Sequence, residues 1–177
     1  MNPSTSEPLV DAIHRTLIAE VKRRIITESV PRIEKCLAQL SEEEIWYRPN
    51  ENVVSVGNLV LHLCGNLRQW VLSGLGGQPD QRQRDTEFSQ THPIPADELI
   101  HRMGTLMQEI ERTLDHLSPQ NLTTVRSVQG YQETGLAILM HVTEHFSYHT
   151  GQITYYVKIR KNVDLQYYGG QDLNQTG

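Results

Sequence analysis

Cysteine is scarce in this chain. Cys36 and Cys64 are the only two among 177 residues, too few for a disulfide framework or a thiolate zinc site. Long apolar runs are missing as well: none approaches the roughly 18–20 residues that cross a bilayer, and the mean hydropathy is −0.47. Basic charge is in deficit. Sixteen Lys and Arg against twenty-one Asp and Glu leave a net charge of −5, so the chain lacks the basic surplus that displaces counterions from nucleic acid. The opening stretch Met1 to Pro8 has neither the basic region nor the apolar core of a secretion leader, and a cytoplasmic location is expected. Glycine-rich phosphate loops, internal repeats and alternating strand patterns are absent too. A membrane span, a secreted scaffold, a zinc finger and a nucleic-acid partner are excluded on these grounds.

What remains is helical periodicity. The first stretch runs from about Leu9 to Leu40, with Leu9, Ile13, Leu17, Val21 and Ile25 four residues apart. Pro31 interrupts it and should kink or restart the helix, because proline lacks the amide donor and crowds the preceding turn. Ser41-Glu-Glu-Glu44 reads as a capping box opening a short turn before Pro49. A second helix is expected from Ser55 to about Ser73, ended by Gly74, Gly76, Gly77 and Pro79. A polar loop from Asp80 to about Pro93 follows, then a third helix from Pro95 to about Leu117 and a fourth from about Gln132 to Lys161. Residues 169–177 read as a loose tail after a single domain over 1–168. Four helices without a sheet imply an all-α antiparallel four-helix bundle.

Eight histidines are the unusual count. His14, His92, His101 and His116 sit among charged neighbours or in loops and read as solvated surface residues. His62 and the trio His141, His145 and His149 differ, because they interrupt buried seams. In the fourth helix the apolar positions Leu139, Val142 and Phe146 lead to His149 where an apolar residue is expected, with His145, Gln152 and Tyr156 alongside. In the second, Asn58, His62 and Asn66 form a polar stripe beside Leu59, Leu63 and Leu67. A lone core histidine is ordinarily satisfied by a local hydrogen bond. Two helices breaking their seams together favour a metal, which satisfies several buried groups at once.

At about 1.5 Å rise per residue, His141 and His149 stand roughly 12 Å apart along the axis and cannot both reach one ion. The pair is therefore His141/His145 or His145/His149, with His62 as the third ligand. Three histidines leave an open coordination position, the pattern of a catalytic site. Zinc and nickel suit such a set ahead of iron or copper.

His141-Val-Thr-Glu144-His145 also fits the inverted zincin pattern, with Glu144 as base. No glutamate follows Glu144 to complete that site, and Glu144 points about 100° off the ligand face. Asn66 and Gln152 lie on the ligand faces and suit the orientation of a ring nitrogen or a substrate. Cys64 falls on a different helix face from His62, against a Cys–His nucleophile pair. Arg68, Arg82 and Arg84 read equally as a solvated edge or as a set able to capture an anionic group. Leu61, Cys64 and Leu72 add a second apolar stripe to the second helix, from which a homodimer contact is expected.

Ser55-Val-Gly-Asn-Leu-Val-Leu-His62-Leu and the later His145-Phe-Ser-Tyr-His149-Thr-Gly-Gln-Ile153 resemble the DinB/YfiT-like superfamily of metalloenzymes. Val60 to Trp70 and Arg84-Asp-Thr-Glu-Phe88 are similar to one uncharacterised branch of it, and the likeness runs from the first helix to Tyr168. The resemblance implies metal ligation by His62, His145 and His149, with His141 outside the ligand set. It implies an up-down-down-up bundle, whose long crossover between the second and third helices the stretch Gly74 to Pro95 can supply. Characterised members include metal-dependent transferases and isomerases that use low-molecular-weight thiols such as mycothiol or bacillithiol. The expected function is thus activation of a thiol or water by a divalent ion, for thiol transfer or hydrolysis of a small molecule. The alternative is a non-catalytic metal-binding dimer acting in stress response.

Overall fold

The computed structural model describes residues 7–176. Helix α1 (Glu7–Lys22) runs through a π-helical stretch, Arg23–Ser29, into α2 (Val30–Leu37). The cause is Pro31. Its ring would collide with the carbonyl four residues back, and the chain widens before it, the Val30 amide bonding to the Ile25 carbonyl instead. The proline thus loosens the winding without ending the helix.

Ser41 caps α3 (Glu42–Trp46) and Ser55 caps α4 (Val56–Leu67), each in a reciprocal capping box. A second π-helical stretch, Arg68–Ser73, continues α4 to the glycines that stop it. The crossover that follows is not wholly loop. It carries α5 (Arg84–Ser89), pinned to α4 by Asn58, whose Nδ2 donates to the carbonyls of Glu87 at 2.9 Å and Gln90 at 3.0 Å. Next come α6 (Ala96–Asp115) and α7 (Pro119–Thr123).

The fourth helix begins later than its periodicity suggests. Residues 132–134 belong to a two-stranded antiparallel hairpin, β1 (Val125–Val128) and β2 (Tyr131–Thr134), in register Val125 with Thr134 and Val128 with Tyr131. Its two-residue turn, Gln129-Gly130, has φ of 50° and 83°, the left-handed pair that a tight hairpin needs. Thr134 then caps α8 (Gly135–Lys161), accepting from the Ala137 amide.

The fold is predominantly helical, around one buried apolar core. Ile25, Ile33 and Leu37 meet Leu63 and Leu67 of α4, Met103 and Ile110 of α6, and Phe146 and Ile153 of α8 there. Beyond α8 the chain is fastened at Tyr167, whose hydroxyl lies 2.8 Å from Thr154 Oγ1 and 3.1 Å from the buried Cys36 Sγ. No described helix is long and apolar enough to cross a membrane.

The stripe from which a dimer contact is expected is covered within the chain. Leu72 is buried, and Leu61 and Cys64 are half-buried beneath the crossover. The large apolar side chains left exposed include Leu136, Met140, Tyr148, Tyr155 and Ile159 on the outer face of α8.

Candidate metal centre

Where α4 faces α8, imidazoles replace apolar side chains. His62 is 5% exposed. Its Nδ1 lies 2.9 Å from Glu87 Oε2, and the Glu87 carboxylate is itself buried. Arg82 grips that carboxylate twice, Nε to Oε1 at 2.7 Å and Nη2 to Oε2 at 2.8 Å. Its remaining Nη1 donates to Gln69 Oε1 at 2.9 Å. An ionised carboxylate only accepts. The proton therefore sits on His62 Nδ1, and Nε2 turns its lone pair inward. Burial pushes the Glu87 carboxyl up, but the hydrogen bonds from Arg82 and His62 outweigh it and hold the group below its ordinary range.

Glu87 reaches His62 because of a gap on α4. A Cβ on Gly65 would stand 1.9 Å from Glu87 Oε1, so only glycine one turn after His62 admits the carboxylate.

On α8, His149 Nδ1 lies 2.7 Å from Gln152 Oε1, which assigns its proton in the same outward sense. The three rings form a triangle, with centroids 4.9 Å apart for His62 and His145, 4.5 Å for His145 and His149, and 5.1 Å for His62 and His149. His145 Nε2 is 3.1 Å from His62 Nε2. One ligand nitrogen from each of His62, His145 and His149 falls within 4.8 Å of the other two. Nitrogens bonded at about 2.1 Å to one tetrahedral ion lie roughly 3.4 Å apart, so His62 and His145 already stand at the spacing of two ligands.

Burial, then the neighbouring imidazoles of His149, His141 and His62, push His145 down to about 3. Burial lowers His149 as well, against the Gln152 hydrogen bond. Both rings are neutral at pH 7, as metal ligands must be. The three-histidine cluster could therefore bind a metal ion.

The remaining sequence candidates are distributed around this cluster. His141 stands outside it, stacked on Trp70 with centroids 3.9 Å apart, its Nε2 3.4 Å from Asn66 Nδ2. Asn66 thus meets His141, and Gln152 meets His149. Glu144 is exposed to solvent. The Cys64 thiol, pushed up to about 12 by burial, is no nucleophile at neutral pH. His92, His101 and His116 are exposed, whereas His14 is half-buried and its Nε2 has no partner among the described residues.

Glu87 is the residue sequence reasoning missed, while Arg82, one of the arginines read as able to capture an anionic group, holds the Glu87 carboxylate. Both sit in a stretch that reads as polar loop, and the Arg82 side chain is 3% exposed, which overturns its reading as a solvated edge. A cavity of about 380 Å³ opens beside the cluster, bounded by His62, His145, Trp70 and the hairpin residues Gln129, Tyr131 and Glu133. The hairpin is held there by Trp70, whose Nε1 donates to Gln129 Oε1 at 2.9 Å.

Among curated proteins no relative matches the sequence. Solved structures do match. A DinB-like protein, YjoA, from Bacillus subtilis superposes with a TM-score of 0.64 at 19% identity, over 84% of this chain and 96% of its own. A DinB-like protein from Bacillus cereus superposes with a TM-score of 0.61 at 17% identity, over 78% of this chain and 89% of its own. Identities this low establish the fold alone, and that fold is DinB-like. Residues 13–168 match the family described as protein of unknown function DUF1572, and the chain belongs to that family.

Proposed function

We propose that the chain is a divalent-metal-dependent enzyme acting on a small molecule, with His62, His145 and His149 holding the ion. The observation that carries this reading is the convergence of three imidazoles, of which His62 and His145 line a cavity, with the Nδ1 protons of His62 and His149 held outward by Glu87 and Gln152. An ion held there supplies Lewis acidity, lowering the pKa of a thiol or water that occupies its open position. The protein's own residues prepare the place. Glu87 fixes the tautomer and tilt of His62, and Arg82 keeps Glu87 ionised and in position. Gln152 does for His149 what Glu87 does for His62, while burial keeps His145 neutral. Trp70 and Tyr131, with ring centroids 6.3 Å apart, give the cavity an aromatic side.

Zinc or nickel suits three imidazoles ahead of iron or copper. A low-molecular-weight thiol is the proposed co-substrate, in a transferase-like or hydrolytic reaction. The open cavity supports this over a non-catalytic metal-binding dimer, whose site would be closed. The reading includes a single cytoplasmic domain over 1–168 with a tail at 169–177, wound as an up-down-down-up four-helix bundle. It also includes a homodimer of two such chains, with the contact assigned to the exposed outer face of α8.

Elemental analysis of purified protein should find one transition metal per chain. The loaded protein, offered cellular thiols with a chromogenic electrophile, should turn over, and His145→Ala should not. A wild type no faster than chelator-stripped protein across the whole panel refutes the enzymatic reading.

A further inference from the structure

The cavity beside the histidines contains two charges that the fold does not use. Arg82 is committed to Glu87 and Gln69. Arg84 and Glu133 line the same cavity, yet neither forms a salt bridge among the described residues. They come from different elements: Arg84 opens α5, and Glu133 belongs to β2 of the hairpin. Arg84 is exposed, and its guanidinium stands over the Phe88 ring at 4.8 Å from the centroid. Phe88 in turn packs on His62, with ring centroids 4.8 Å apart. A stack of three groups therefore links the unpaired cation to the candidate metal centre. The same lining includes aromatic and amide groups from Trp70, Tyr131, Asn66 and Gln129.

We propose that this cavity sorts small molecules by charge and accepts a zwitterion, whose carboxylate pairs with Arg84 and whose ammonium group pairs with Glu133. A guanidinium over an aromatic face is suited to a carboxylate, which it can take through two parallel N–H bonds. A carboxylate in the same lining penalises a purely anionic ligand and rewards one that also carries an amine. The volume, about 380 Å³, lies at the small end of ligand sites and suits a ligand of metabolite size. The inference rests on the thiol reading of the same centre, and it assigns two specificity-determining residues to that centre.

The test is calorimetric titration of zinc-loaded protein with four small thiols that carry different charged groups: L-cysteine, 3-mercaptopropionate, cysteamine and 2-mercaptoethanol. L-Cysteine should bind tightest. Arg84→Gln should weaken L-cysteine and 3-mercaptopropionate by about tenfold, the equivalent of 1.4 kcal/mol, and leave 2-mercaptoethanol unchanged. Glu133→Gln should weaken L-cysteine and cysteamine and tighten 3-mercaptopropionate. If all four thiols bind alike, or both variants weaken all four equally, the charge assignment is overturned while the thiol reading stands. If no thiol binds wild type, both fall together, since no anchored ligand is left to sort.

Discussion

Replacing Glu87 by Gln probes the centre without touching any histidine. The amide keeps the shape of the carboxylate and one accepting oxygen, but removes the charge. Two consequences follow from the geometry. First, Arg82 loses its counter-charge while its side chain stays 3% exposed. Removing one partner of a buried pair costs about 3–5 kcal/mol, because the other is left uncompensated. Second, Arg82 Nη2 lies 3.1 Å from His62 Nδ1. In the native chain the carboxylate wins the contact with that nitrogen, and Nδ1 keeps its proton. With Gln at 87, the guanidinium is the stronger partner, and it can only donate. The imidazole proton then moves to Nε2, and the lone pair that would face the ion is lost. Zinc affinity, read by competition with a chromogenic chelator, should fall about 10–100-fold or more, the usual effect of removing a carboxylate behind a metal-bound histidine. Urea unfolding of the metal-free variant should show a loss of about 3 kcal/mol. The pair Glu87→Gln with Arg82→Gln should recover most of the stability and only part of the zinc affinity. A folded Glu87→Gln protein that binds zinc as tightly as wild type refutes the reasoning.

His149→Ala should abolish tight metal binding, whereas His141→Ala should spare it, because His141 is engaged with Trp70 and Asn66; the reverse result in elemental analysis would reassign the ligands. Gly65→Ala places a methyl 1.9 Å from Glu87 Oε1 and should evict that carboxylate, with thermal melting and zinc affinity falling together; a variant that melts like wild type counts against the close approach. The metal-free protein should lose stability on acidification. His145 is pushed down to about 3 in the fold, and His141 and His149 are lowered too, so below the ordinary imidazole value near pH 6.5 the unfolded chain binds more protons than the folded one. The stabilisation is complete above about pH 6.5 and disappears progressively toward pH 3. Urea titrations from pH 8 to 4 should show that slope in wild type and a shallower one in His145→Gln; parallel slopes would place the proton uptake elsewhere.

The long helices were legible in the chain because their apolar spacing and their caps are local. Ser55 with Asn58, and Ser41 with Glu44, need only three residues to declare a helix start. The hairpin was not, since two four-residue strands around Gln129-Gly130 offer little alternation and no Asn-Gly turn. The histidine cluster was legible in outline, because a polar residue at a core position of a helix must find a partner. Its support was not. Glu87 lies 25 residues from His62, in a segment whose Arg, Asp and Glu content reads as solvated loop. Only contact with α4 turns that segment inward.

One sign of that contact does stand in the sequence, and it is Gly65. Glycine in a helix interior costs about 1 kcal/mol against alanine, so its presence there signals that something approaches the backbone closely. This one follows a core histidine by three residues, which puts it beside that ring on the helix surface. An imidazole with one nitrogen turned inward needs an acceptor for the other. The glycine leaves room for that acceptor, and the polar crossover supplies it. A core histidine, a glycine one turn later and a polar crossover that carries carboxylates together point to a carboxylate behind the ring. The same logic separates His62 from His141, which has Met140 and Glu144 for neighbours on α8 and no such gap beside it. His141 instead meets Asn66 through Nε2 and stacks on Trp70 with centroids 3.9 Å apart, so its ring forms part of the cavity wall.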